Sequence, residues 1–144
     1  MWRVIFGAFF ILLLPLLEAG QPAKNDLGAK LVKRSVDLAG DSGAYIHDIP
    51  PSPRREEPGL ARHLADSLIW YRQSKHRGKH DPAIVISDDP ALGARVAHVA
   101  FSSLRAGSLH GLRVICIVGK RYDAYLHDVA DATGVKLEVE PLPK

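Results

Sequence analysis

Two short runs in the chain are apolar at every position: Ala83-Ile84-Val85-Ile86, and Val114 through Val118. A strand with one wet face alternates apolar and polar residues. A run that is apolar on both alternating faces predicts a strand covered on both sides, as in a parallel sheet beneath helices. The neighbouring segments have the other period. Leu60, Leu64, Leu68 and Ile69 recur at helical spacing with Ala61 and Ala65, while Arg62, His63, Asp66 and Gln73 fill the opposite face. Trp70 and Tyr71 broaden the apolar side before the chain enters a basic loop ending at Asp81-Pro82.

After the first apolar run, Ser87-Asp88-Asp89-Pro90 is a helix cap with proline in the first turn. It predicts a helix over 90–106, with Leu92, Val96, Val99, Ala100 and Leu104 inward. Arg95, His98, Ser102 and Arg105 fall together on its outer face. Gly119-Lys120 leads into a third helix over 122–133, packing through Ala124, Leu126, Val129 and Ala130, and Gly134 ends it. Val135, Leu137 and Val139 then alternate with Lys136, Glu138 and Glu140, the pattern of a half-exposed edge strand.

The predicted order is helix, strand, helix, strand, helix, strand. Right-handed crossovers make such strands parallel, so the expected fold is α/β, a small three- to four-stranded mainly parallel sheet with helices packed on it. The domain is expected over 59–144. Residues 21–58 read as a poorly ordered, proline-rich segment, since Ile49-Pro50-Pro51-Ser52-Pro53 must be extended. Within it, residues 25–38 fit a short helix with Leu27, Leu31 and Val36 inward or a strand through Leu31-Val32, and Tyr45-Ile46 fits a short fourth strand.

The first 20 residues change the compartment. Met1-Trp2-Arg3 is a minimal cationic start, followed by an apolar run over residues 4–17 interrupted only by Gly7 and Pro15. Its fourteen residues, at ~1.5 Å each, reach about 21 Å as a helix, short of the ~30 Å hydrocarbon core. A signal peptide over 1–20 is expected, with Ala19, Gly20 and Ala23 near the cleavage point. The expected location is therefore the periplasm or the exterior, the alternative being an N-terminal anchor in the inner membrane. One cysteine, Cys116, gives no internal disulfide framework and reads as a small core hydrophobe. With 24% charged and 47% hydrophobic residues the chain is neither a disordered tail nor a polytopic membrane protein.

Candidate chemistry is sparse. Ligands of open parallel sheets gather beyond the carboxyl ends of the strands. Those ends carry Asp88 and Asp89 after one strand and Lys120 after the next. Paired carboxylates with a lysine suit a phosphorylated or anionic ligand, whereas the simpler role for Ser87 and the aspartates is capping a helix. His76 and His80 lie four apart, but Gly78 and Pro82 break the helix that would align them, so no metal site or other cofactor is expected. His127 lies four residues from both Asp123 and Asp131, which is ordinary helix pairing. Lys75, His76, Arg77 and Lys79 form a cationic loop beside Trp70 and Tyr71, suited to peripheral contact with an anionic membrane surface. No nucleic-acid-binding fold is recognisable, so nucleic acid is not an expected partner.

Ile84-Val85-Ile86-Ser87-Asp88-Asp89-Pro90, the helix ending Leu104-Arg105-Ala106, Gly111-Leu112-Arg113-Val114 and the late Gly134-Val135-Lys136-Leu137 with Pro141 together resemble a family of small exported proteins encoded by integrating conjugative elements. The likeness covers about residues 83–141. It implies a non-catalytic accessory module of an envelope-spanning DNA-transfer or secretion apparatus, with protein partners in the cell envelope and no catalytic residues to carry over. Such a module would use the Arg95–His98–Ser102–Arg105 face or the last strand's edge. The competing expectation is a small enzyme or binding protein acting on an anionic ligand at Asp88, Asp89 and Lys120.

Overall fold

A computed structural model describes residues 26–41, 43–74, 78 and 80–144. The leader and Lys75, His76, Arg77 and Lys79 lie outside the described residues. The elements in order are α1 (Asp26–Ala39), β1 (Tyr45–Ile49), α2 (Glu57–Gln73), β2 (Ala83–Ser87), α3 (Pro90–Ser103), β3 (Arg113–Ile117), α4 (Asp123–Ala130) and β4 (Lys136–Glu140). The four strands form one all-parallel sheet in the order β1-β2-β3-β4. The α/β fold with helices on a parallel sheet is as the residue pattern predicts.

Strand order equal to chain order has a geometric consequence. Each β-α-β unit crosses over with the same hand, so α2, α3 and α4 fall on one face of the sheet. The side chains agree. Val85, Cys116, Val114, Leu137 and Val139 join Leu64, Leu68, Leu92, Val96, Phe101 and Leu126 in one core. The alternate residues Ile84, Ile86, Ile115 and Ile117 point to the other face and pack with Leu31 of α1, supported by Leu27 and Leu38. Register places Ile84 beside Ile115 and Val85 beside Cys116, so each layer continues across the strands. Burying an aliphatic side chain of this size contributes about 1.5–3 kcal/mol, which four isoleucines on the second face make substantial.

Helix α1 is thus part of the fold, and the ordered chain begins well before residue 59. The segment expected to be poorly ordered supplies both α1 and the first strand. The helix turns Leu27, Leu31 and Leu38 inward. Ser35, not Val36, is the buried neighbour: its hydroxyl donates to the Leu31 carbonyl at 2.8 Å, whereas Val36 is 57% exposed. The expectation that Val99 packs inward is corrected likewise, since it is half exposed and Phe101 takes the buried place.

Cys116 is fully buried, and burial pushes its thiol up to about 12. It is the core hydrophobe expected. β4 is an edge strand with Leu137 and Val139 buried and Lys136 exposed, as its alternation predicts. His127 meets Asp123 at 3.5 Å and Asp131 at 2.9 Å. Among the described residues, no helix is long and apolar enough to cross a membrane.

One close approach fixes how α3 sits on the sheet. A Cβ added at Gly93 would lie 2.8 Å from the Ser87 Cβ and 3.1 Å from a Val118 methyl. Gly93→Ala is therefore expected to lower stability by about 1–2 kcal/mol, overpacking outweighing the gain in helix propensity. Urea unfolding followed by far-ultraviolet circular dichroism measures this. A Gly93→Ala chain as stable as the parent would show that α3 does not rest on β2 at that point.

Candidate functional site

The carboxyl edge of the sheet is assembled from the ends of β1, β2 and β3. At its centre Ser87 is buried, and its hydroxyl donates to the Ile49 carbonyl at 3.0 Å while accepting the Asp89 N–H at 3.2 Å. This ties the end of β1 to the turn after β2. Asp89 has extended backbone, and its Oδ1 accepts the Leu92 N–H at 3.1 Å, so it is the N-cap of α3. Pro90 follows as the first helical residue, where its missing N–H leaves no bond unmade.

Asp88 faces the opposite way. Its carboxylate lies against α1, where a Cβ on Gly28 would be 3.1 Å from Oδ1. Its charge acts on Asp48, whose carboxyl is pushed above the usual range first by burial and then by Asp88. Lys120 sits in a 3-10 turn after β3, exposed, with its charge felt by Glu138 of β4. The three residues proposed as an anion-handling set are thus divided among a helix cap, a contact with α1 and the β4 side of the sheet. No ion pair links Lys120 to either aspartate among the described residues.

The outer face of α3 is likewise divided, because α3 lies between α2 and α4. Arg95 reaches α2 and grips Glu57, with Nη2 at 2.7 Å and Nε at 3.2 Å from Oε1. The hydrogen bond from Arg95 holds the Glu57 carboxyl below the usual carboxylate range. His98 turns to α4 and stacks on Tyr125, centroids 4.1 Å apart with planes at 12°. Ser102 donates back to the His98 carbonyl at 2.7 Å, and Arg105 is exposed beyond the helix end. Arg95 and His98 therefore clamp the helical layer together, leaving Ser102 and Arg105 as the wet end of that face.

A cluster not anticipated from the sequence lies where β1 meets α2. His47 is buried on the α2 side, its ring 5.2 Å from that of His63 and its Nδ1 3.3 Å from the Tyr45 hydroxyl. Tyr45 in turn stacks on Tyr71 at 5.3 Å and meets the exposed Trp70 edge-on at 6.0 Å. Burial, with a smaller contribution from the His63 charge, lowers the His47 pKa to about 4. The sequence signal was the alternation Tyr45, His47, Ile49 on one face of a strand, obscured because histidine does not read as a core residue. Among the described residues, no group of histidine, cysteine and carboxylate side chains is placed to hold a metal ion.

No family model, no curated protein and no solved structure matches this chain.

The buried neutral His47 gives a pH dependence of definite sign. A lowered folded-state pKa means that the unfolded chain binds the proton more readily. The stability from this site is full above about pH 6.5 and is lost as pH falls towards 4. Urea midpoints measured at several pH values in that window should fall more steeply for the parent than for His47→Gln. Equal slopes would contradict a neutral, buried ring.

Proposed function

We propose that the protein is an exported, non-catalytic accessory module of an envelope-spanning DNA-transfer or secretion apparatus, working through contact with protein partners. The single observation carrying this reading is the separation of Asp88, Asp89 and Lys120, of which Asp89 caps α3, Asp88 lies against α1 and Lys120 lies on the β4 side. Asp89, one of the most chemically suggestive residues of the sequence, has local work in completing the α3 cap. The pattern of the apolar leader supports export, and the likeness over residues 83–141 supports the transfer apparatus.

Partner contact suits the architecture. A parallel sheet of four strands ends at two edges, and β1 and β4 are both short, five residues each. Edge strands offer backbone groups to another chain. At the β4 edge the side chains that reach water, exposed Lys136 and half-buried Glu138 and Glu140, are charged, so contact there is selective by charge rather than by apolar area.

The test is genetic and uses the residues in dispute. In the native host, deleting the gene should lower conjugative transfer. Supplying the chain carrying Asp88→Asn, Asp89→Asn and Lys120→Gln together should restore transfer to within about twofold of the parent chain. Asparagine caps a helix about as well as aspartate, so this variant is expected to fold, which circular dichroism checks. Failure of the folded triple variant would overturn the non-catalytic reading, and an undiminished deletion strain would overturn the accessory role.

A further inference from the structure

At the amino edge of the sheet, opposite the customary ligand side, a recess of about 320 Å³ opens between the starts of β3 and β4. His80, Gly111, Leu112, Arg113, Lys136 and Glu138 line it. Small-molecule sites begin near ~300 Å³, so the space suits a compact ligand.

Its walls are tied in place. The loop before β3 is bonded to the turn before β4 through Gly107 N–H to the Ala132 carbonyl at 3.0 Å and Leu109 N–H to the Thr133 carbonyl at 2.9 Å. Lys136 N–H donates to the Leu112 carbonyl at 2.9 Å, and Arg72 Nε reaches across from α2 to the His110 carbonyl at 2.9 Å. Gly111 has φ +81°, a conformation that L side chains rarely adopt. The chain's own hydrogen bonds therefore hold the concavity open.

The charges in it do not balance. Register places Arg113 directly opposite Lys136 on the same face of the sheet, and like charges so placed repel. Glu138 takes Arg113 through two hydrogen bonds of 2.8 and 3.0 Å. The positive charges of Lys136 and Lys120 act on that same carboxylate. Among the described residues, the other carboxylate acting on Arg113 is Glu140, which is itself paired with Arg34 at 3.0 Å. Of the charged groups that line the recess, Arg113 and Lys136 thus stand against Glu138 alone, an excess of one positive charge with His80 beside it.

We propose that this recess binds a small phosphorylated molecule, its phosphate held by Lys136, His80 and the guanidinium of Arg113. A phosphate monoester carries close to two negative charges at neutral pH, so it draws on the Lys136 charge, unpaired among the described residues, and on the N–H donors of Arg113 and His80. Arg113 uses Nε and Nη2 on Glu138 and keeps further N–H donors; the lysine ammonium adds three, and the imidazole adds its own. Glu138, held in place by Arg113, supplies an acceptor for a hydroxyl on the organic part. This site is separate from Asp88 and Asp89 and does not rest on the accessory role.

Calorimetry on the full chain at low salt, with nuclear magnetic resonance of its amides, tests this using three probes: glycerol 3-phosphate, inorganic phosphate and vesicles of phosphatidylglycerol with phosphatidylcholine. The expected result is saturable one-to-one binding of glycerol 3-phosphate, tighter than inorganic phosphate, shifting the Gly111, Leu112 and Lys136 amides. Lys136→Gln, at an exposed position, should weaken it about tenfold, the effect of losing one charge-assisted hydrogen bond. Asp89→Asn should leave it unchanged. Absence of saturable binding, equal or tighter binding of inorganic phosphate, binding to vesicles alone, or insensitivity to Lys136→Gln would each overturn the proposal.

Discussion

Strands β2 and β3 carry aliphatic side chains on both faces, and neither face can be left to water. Ile84, Ile86, Ile115 and Ile117 point one way, while Val85, Val114 and Cys116 point the other. Helices following each strand with the same hand all land on one face, so α2, α3 and α4 satisfy only half of this demand. The other half falls to α1, which precedes the sheet in the chain. A sheet whose order repeats chain order needs such an extra element, and Leu31, only 1% exposed, is its point of contact.

The same constraint distributes the polar chemistry. Holding α3 close to β2 requires Gly93, a buried Ser87 and an Asp89 cap, so the turn after β2 is occupied by structural bonds. Holding α1 over the isoleucines brings Gly28 against Asp88 and Arg34 to Glu140. At the customary ligand edge Ser87, Asp89 and Glu140 are thereby already bonded. Two like charges meet instead at the amino edge, where Arg113 and Lys136 are neighbours by register and Glu138 pairs with Arg113. Strand pairing, not sequence proximity, creates that adjacency.

This explains what the residue pattern revealed and what it hid. β2 and β3 were legible because two-sided burial leaves a continuous apolar run, and β4 because one wet face leaves alternation. The cap at Asp89 was legible because proline follows it. β1 was partly hidden, since an edge strand tolerates His47 and Asp48 in its middle. In α1, Ser35 satisfies its hydroxyl on the Leu31 carbonyl and so can be buried, which shifts the inward stripe away from Val36. Arg95 and His98 share a helix face in sequence terms, yet partners on α2 and α4 draw them apart. The amino-edge recess needed the register of β3 on β4, which no local pattern contains.

Equilibrium urea unfolding of Leu31→Ala tests the central claim most directly. If α1 is the necessary second cover of the sheet, truncating Leu31 should cost about 2–5 kcal/mol while unfolding stays a single cooperative transition. A loss below about 0.5 kcal/mol, or an early separate melting of α1 that leaves the strands intact, would contradict it.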